Sequence, residues 1–318
     1  MKYSDFGLVN THEMFAGALA GHYAVPAFNF YNMETLNTIL TAARKTHSPV
    51  ILAVSESALR YMGTDMLLGM IAGACILPRE QIALHLDHGH SLDACIHAID
   101  NGFSSVMIDA SNLPFDENVK LSRAVAKYAH QHNVSVEAEL GILSGIEDEN
   151  TKSENSSYTR PDDVVEFVNK TGVDSLAIAI GTSHGAYKRK SDDESLRFDI
   201  LKQIAKQLPD FPLVLHGAST IPQNYIDTIN HCGGKMRGAR GIDKSQLKRA
   251  TKTNICKINI DSDLRLAFTA AVRESLKQNP TVFNPREYLS AAIKNMTDLC
   301  TDEITHIMGS KNKIVVSG

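Results

Sequence analysis

Residues 82–90 read Ile82-Ala83-Leu84-His85-Leu86-Asp87-His88-Gly89-His90. A run of strand length, mostly aliphatic, ends abruptly in an acid, a histidine and a glycine. A strand that is apolar on both faces has to be covered on both, which is the condition of a parallel sheet flanked by helices. The same composition recurs at 25–30, 50–54, 105–108, 134–140, 175–180, 213–215 and 255–260. Segments of helical period lie between these runs. Residues 33–45 carry Met33, Leu36, Ile39, Leu40 and Ala43 on one stripe, and residues 119–130 set Val119, Ala126 and Ala129 against Lys120, Arg123 and Lys127, as amphipathic helices do. Eight strand-and-helix units without a linker predict an α/β chain closed into a (β/α)8 TIM barrel, a single domain over residues 1–318, in preference to two doubly wound domains.

Two stretches interrupt this rhythm. Residues 144–160 are rich in Glu, Asp, Ser and Asn and read as a long mobile loop. Residues 232–253, with Gly233-Gly234, Gly238, Gly241 and many cations, read as an insertion before the last strand. The apolar patch 66–77 is too short to span a bilayer and reads as a buried helix, and the tail after Gly309 reads as frayed.

Composition narrows the function classes. Against 36 Asp plus Glu the 318 residues carry 32 Lys plus Arg, for a formal charge of −4, so nucleic acid and anionic membrane surfaces are not expected partners. Five widely spaced cysteines, at 75, 95, 232, 256 and 300, suit neither a disulfide framework nor a zinc ribbon and indicate a reducing compartment. Met1-Lys2-Tyr3-Ser4-Asp5 lacks the start of a secretion signal. The expected location is the cytoplasm.

Barrel enzymes place their chemistry at the C-terminal ends of the strands. Here those positions hold Asn29, Ser55, Asp87-His88, Asp109, Glu139, His184, His216, and Asn259 with Asp261. His88, His184 and His216 are distant in sequence yet converge on the barrel axis. Three protein ligands with open positions are the mark of a catalytic metal site. His85 and His90 flank His88, and periodicity excludes neither as the ligand. Glycine follows the other two histidines, in Gly181-Thr182-Ser183-His184-Gly185 and His216-Gly217-Ala218-Ser219, where a missing Cβ lets backbone N–H groups approach an anion. Loops after strands seven and eight often hold a phosphate, and here they carry Gly217-Ala218-Ser219 and Asn259-Ile260-Asp261-Ser262. Lys188 is either a point charge for such a group or one of a solvated trio with Arg189 and Lys190.

Taken in order, Pro26-Ala27-Phe28-Asn29-Phe30, Leu86-Asp87-His88, Glu137-Ala138-Glu139-Leu140-Gly141, Gly181-Thr182-Ser183-His184-Gly185, Leu215-His216-Gly217-Ala218-Ser219 and Asn259-Ile260-Asp261-Ser262 resemble the class II, zinc-dependent ketose-bisphosphate aldolases over essentially the whole chain. The resemblance implies a lyase of glycolysis and gluconeogenesis that reversibly cleaves fructose 1,6-bisphosphate to dihydroxyacetone phosphate and glyceraldehyde 3-phosphate. It implies zinc on His88, His184 and His216, polarising the carbonyl and stabilising an ene-diolate. Asp87 matches the acid/base residue, the alternative being that it orients a zinc-bound histidine. Asp109 and Glu139 match positions for a second or displaced divalent metal, or serve as structural acceptors; a monovalent cation is the alternative additional cofactor. Glu147 matches a loop glutamate that handles the proton leaving dihydroxyacetone phosphate.

For the substrate, the resemblance implies Gly185, Lys188, Gly217, Ser219, Asn259 and Ser262 around one phosphate, with Ala218 and Ile260 in the same loops and Asn29 and Ser55 on the same rim. It implies a homodimer or homotetramer in which an arginine, Arg265 or Arg286, reaches the neighbouring subunit's second phosphate. Asp261 points to fructose over tagatose bisphosphate. The insertion, including Lys235, Arg237 and Lys248, resembles a subgroup and has no derived role. A non-catalytic zinc-containing barrel that binds a sugar phosphate or a partner protein is the reading from another class; the presence of Asp87 with all three histidines argues against it.

Overall fold

The computed structural model describes residues 1–147, 151–153, 157–187 and 196–314. Its strands are β1 (Val25–Asn29), β2 (Val50–Ser55), β3 (Ile82–Gly89), β4 (Ser105–Ile108), β5 (Ser135–Leu140), β6 (Ser144–Glu147), β7 (Thr151–Ser153), β8 (Ser175–Ile178), β9 (Ser183–His184), β10 (Leu213–Leu215) and β11 (Ile255–Ile260). Eight of them close a barrel in the order β1-β11-β10-β8-β5-β4-β3-β2. Its neighbours run parallel, from Val25 opposite Lys257 to Ser55 opposite Asp87. This is the (β/α)8 barrel that the recurring apolar runs predict.

Strand parity sorts the side chains. Phe28, Leu52, Leu84, Val106 and Ile258 face outward into the main core under the helices. Val25, Ala27, Ile51, Ala53 and Ala83 pack with Met14, Phe15 and Ala18 of the helix His12–Gly21, which covers the apolar lower part of the barrel. Met107, Ala177 and Val214 form a small cluster of their own. The helix Met33–Thr46 begins on Asn32, whose side chain accepts from the Thr35 N–H at 2.9 Å, a cap that satisfies one orphan donor. It buries Leu36, Ile39, Leu40 and Ala43, the stripe expected from the sequence. Residues 119–130 lie within the longer helix Phe115–Gln131.

Three expectations need correction. Residues 144–160 hold β6 and β7, paired antiparallel, with β6 also parallel to β9; residues 148–150 and 154–156 of that stretch lie outside the described residues. The patch 66–77 is not a wholly buried helix. The helix Thr64–Gly73 buries Leu67, Leu68 and Ile71 while Met66 is exposed, because helical rotation gives it only one covered face. The insertion 232–253 does precede the last strand, and it includes the helix Lys244–Ala250, with Leu247 and Ala250 buried. The tail is docked through Ser310, which is buried and meets Ser48 Oγ at 2.8 Å, while the Asn312 N–H donates to the Thr46 carbonyl at 3.0 Å; residues 315–318 lie outside the described residues. No described helix is long and apolar enough to cross a membrane.

Candidate metal centre and active site

β3 carries the deciding side chains. Alternation along a strand turns His85 and Asp87 into the barrel and would turn His88 out. The β3–β4 register shifts between Leu86 and Gly89, however, and His88 takes a φ of +48°. That left-handed conformation costs a residue with a Cβ about 1–2 kcal/mol. The bulge re-aims the side chain, so two consecutive residues reach the same site. Of the rival ligands, His85 is buried deeper in the barrel and His90 is exposed.

His88 Nε2 faces His216 Nδ1 at 2.8 Å. The remaining nitrogen of each ring meets a carboxylate: His88 Nδ1 lies 2.9 Å from Asp109 Oδ2, and His216 Nε2 lies 2.6 Å from Glu137 Oε1. A neutral imidazole has one N–H; donated to the carboxylate, it leaves the facing nitrogens as two opposed lone pairs. A cation between them turns this repulsion into ligation, and histidines backed by carboxylates are the usual form of a metal ligand. Ligand atoms of Asp87, His88 and His216 all lie within 4.8 Å of one another, as do those of His88, Asp109 and Glu139. The donor set therefore fits a divalent metal. His184 adjoins it from the rim, its ring centroid 5.1 Å from that of His88 and 6.3 Å from that of His216. Pairing with Gly145 of β6 places it there.

Burial holds His216 well below the ordinary histidine pKa, aided by His88 and Lys257 and opposed by Asp87, which keeps the ring in the neutral, ligating form. For Asp87, burial acts upward, but His88, His216, Lys257 and a hydrogen bond from Asn29 outweigh it and bring the carboxyl to about 2. Asn29 Nδ2 donates to one Asp87 oxygen at 2.7 Å and Asn259 Nδ2 to the other at 2.8 Å. Asn259 Oδ1 is buried without a hydrogen-bond partner. Asp109 lies well below the carboxylate range: burial opposes ionisation, and hydrogen bonds from His88 and Ser111 overcome it.

Strand ends alone do not reveal Glu137 and Lys257. Lys257 is fully buried, and its Nζ donates to Glu137 Oε2 at 2.8 Å and to His85 Nε2 at 3.2 Å. The available signal is parity: each of His85, Glu137 and Lys257 stands two residues before a rim residue, and hence on the same inward face.

The glycine loops that the sequence offered for an anion meet beside the histidines. Gly217 has a φ of +60°, and a Cβ there would lie 2.6 Å from the Ser183 carbonyl carbon and oxygen. Ala218 and Ser219 are buried, and Asp263 accepts the N–H groups of Thr220 at 2.6 Å and Ile221 at 2.7 Å. Asn259 and Ile260 end β11, Asp261 precedes the helix Ser262–Gln278, and Ser262 opens it. A helix N-terminus beside glycine-loop N–H groups suits a phosphate. Gly185 follows β9 with a φ of +78°. The insertion ties these loops together, since the Arg240 N–H donates to the Ala186 carbonyl at 2.9 Å and the Ile242 N–H to that of Ser219 at 3.1 Å.

Other expected residues spread outward. Ser55 accepts from the Ala58 N–H at 3.2 Å and sits opposite Asp87 in the β2–β3 register. Arg265 Nε donates to Asp261 at 2.9 Å, with its guanidinium 5.7 Å from the Tyr31 ring centre. Arg286 is exposed on the helix Pro285–Asp302. Lys188 lies outside the described residues, as does the side chain of Glu147, whose backbone belongs to β6.

Fold and site together define a (β/α)8 barrel with a divalent-metal-competent mouth flanked by two glycine loops and a helix N-terminus. Residues 9–313 match the model of the family "Fructose-bisphosphate aldolase class-II", and the chain belongs to that family. It is 48% identical to a fructose-bisphosphate aldolase of Treponema pallidum (strain Nichols), over 98% of this chain and 99% of that one. A fructose-bisphosphate aldolase of Giardia intestinalis is 45% identical, over 93% of this chain and 92% of its own length. Among solved structures, the YdjI aldolase from Escherichia coli K12 superposes with a TM-score of 0.75 at 28% identity, covering 97% of this chain and all (100%) of that one.

Proposed function

We propose that the chain is a metal-dependent lyase that reversibly cleaves fructose 1,6-bisphosphate to dihydroxyacetone phosphate and glyceraldehyde 3-phosphate, in the cytoplasm, as a step of glycolysis and gluconeogenesis. The observation that carries the reading is the facing pair of His88 Nε2 and His216 Nδ1, 2.8 Å apart, each ring backed by a carboxylate and with Asp87 alongside, in a member of this family. The names of the Treponema and Giardia relatives support the substrate.

His88, His184 and His216 are the proposed holders of zinc, which when bound supplies the Lewis acidity that polarises the ketose carbonyl. Asp87 accepts the substrate hydroxyl proton in cleavage and returns it in condensation. Asn29 and Asn259 hold one oxygen each of that carboxylate, and burial keeps bulk water from it. Asn259 Oδ1, without a protein partner, accepts from substrate. Asp109 and Glu139 share the second donor group with His88 and are the proposed seat of a second or displaced divalent metal; Glu147 handles the proton that leaves the dihydroxyacetone phosphate carbon.

One phosphate is bound by the N–H groups of Gly217, Ala218 and Ser219, by Gly185 and Lys188, and by the helix end formed by Asn259, Ile260 and Ser262. Ser55 lines the same rim. Asp261 selects fructose over tagatose. The functional unit is a homodimer or homotetramer in which Arg265 or Arg286 reaches the neighbour's second phosphate. Phe283, 92% exposed three residues from Arg286, supports a covered surface there.

The test is cleavage of fructose 1,6-bisphosphate by purified protein before and after a chelator and again with zinc restored, with tagatose 1,6-bisphosphate in parallel. Activity that falls and returns with zinc, and favours fructose, is expected. Chelator-insensitive turnover with an adduct trapped by borohydride would replace the metal mechanism with a lysine one, and equal rates on both sugars would remove the role given to Asp261.

A further inference from the structure

Beneath the metal-competent mouth a lysine stands inside the barrel. Lys257 donates to Glu137 Oε2 at 2.8 Å and to His85 Nε2 at 3.2 Å, while the other Glu137 oxygen faces His216 Nε2 at 2.6 Å. All four side chains are buried. An ammonium has donors and no acceptor, so every group that faces it must accept. His85, accepting at Nε2, carries its own proton on Nδ1 and donates it to Ser105 Oγ at 2.8 Å. Glu137, accepting from Lys257 at one oxygen, presents the other to His216. We propose that Lys257 and Glu137 act as a positioning pair that dictates the tautomer of His216, holding its proton on Nε2 and a bare Nδ1 toward the metal. This rests on the reading of His216 as a metal ligand.

A carboxylate accepts at both oxygens, so in the native chain both neighbours of Glu137 are satisfied whichever oxygen each meets. An amide separates the two ends. In Glu137→Gln, Lys257 draws the amide oxygen and repels the NH2 group, which turns the NH2 toward His216. His216 Nε2 must then accept, and its proton moves to Nδ1, the atom that faces the metal. Zinc binds only after that tautomer is reversed against Lys257. Replacing the lysine as well, in Glu137→Gln with Lys257→Met, leaves the amide oxygen at liberty to return to the His216 N–H. The second substitution therefore corrects the first.

The experiment measures zinc affinity of the full chain by competition with a chromophoric chelator, and the absorption spectrum of the cobalt(II)-substituted protein. Glu137→Gln is expected to bind zinc about 10- to 100-fold more weakly, with an altered cobalt spectrum. The double variant is expected to bind zinc more tightly than Glu137→Gln and to regain the native cobalt spectrum. A pair that only packs the barrel gives the opposite result, because losing a second buried partner adds to the damage. Native affinity in Glu137→Gln, or a double variant no tighter than the single one, overturns the proposal. Should Glu137→Gln fail to fold, the double variant decides alone: zinc held within about tenfold of native supports the proposal, and weaker binding overturns it. Native protein that takes up no zinc would instead overturn the metal reading of the site, and the two failures are thereby distinguished.

Discussion

The loop that follows His216 passes the backbone of Ser183 and His184 with no room for a side chain. At Gly217 a Cβ would stand 2.6 Å from both the carbonyl carbon and oxygen of Ser183 and 3.0 Å from its nitrogen. Unstrained non-bonded carbon contacts are about 3.5–4.0 Å, so in Gly217→Ala the two loops must part by roughly 1 Å. Because all three neighbours are backbone atoms, no rotamer change relieves the contact. The left-handed φ of +60° adds about 1–2 kcal/mol for a residue with a Cβ, and overpacking typically costs about 1–3 kcal/mol. A total of about 2–5 kcal/mol lowers the melting temperature by roughly 3–8 °C in a chain of this size. His216 and His184 adjoin the strained contact, so their separation also weakens the metal centre. Calorimetry of zinc-free and zinc-loaded protein, with chelator competition and fructose 1,6-bisphosphate cleavage, checks both effects. Zinc affinity and kcat/KM should fall together, and the extra melting temperature conferred by zinc should shrink. Native melting temperature would refute the steric argument; lost stability with native zinc affinity would refute the link between this crossing and the metal site.

Three further outcomes follow from particular side chains. Asp87→Ala should retain zinc and bind substrate while kcat falls about 10²- to 10⁴-fold; loss of zinc along with turnover would make Asp87 a group that acts through the ligands. Glu303 is fully buried beside Asp263, and burial, followed by the charge of Asp263 and a hydrogen bond to it, raises the Glu303 pKa well above 4.5. Above pH 4.5 the unfolded chain releases this proton before the folded one does, so stability declines as pH rises toward the folded value. Glu303→Gln should therefore raise the melting temperature at pH 8 and change it little at pH 4, whereas the same shift at both pH values would sink this account. His12 Nε2 pairs with Asp174 at 3.1 Å, raising the His12 pKa above 6.5 through the hydrogen bond to Asp174, while Asp174 falls below 3.8, hydrogen bonds from His12 and Val136 outweighing its burial. The pair stabilises fully between these two ordinary values and fades as pH rises through the raised histidine value or falls through the lowered carboxyl value. Surface pairs of this kind contribute about 0.2–1 kcal/mol. His12→Gln should lower the melting temperature slightly at pH 5 and hardly at all at pH 9, and an equal loss at both would show that the charge is not involved.

Much of the fold was legible because burial on both faces leaves a mark in composition. Eight apolar runs separated by amphipathic stripes allow few arrangements, and the residue that ends each run must lie near the mouth whatever the finer register. Segments whose order comes from contacts remote in sequence left no such mark. Ser310 is held by Ser48 and Asn312 by Thr46, though nothing in the tail is periodic. β6 and β7 lie in a polar stretch, where β9, brought alongside by the barrel, pairs with β6. A single lysine within a run of isoleucines, Lys257, looks anomalous until its partners His85 and Glu137 arrive from other strands.

The chain of residues by itself determined the barrel, the family, and the set of polar groups from Asn29 to Ser262 that crowd one end of it, because alternation and repeat length encode which face is covered. The motif resemblance singled out His88 among three neighbouring histidines, but only tertiary structure shows how it meets His216, through a register shift against β4 that overrides parity at His88. It also decided that the insertion braces the two glycine loops and that a buried lysine lies under the candidate metal site. Each of these is a relation between segments, fixed by strand register and packing, and local sequence carries no record of the partner it will meet.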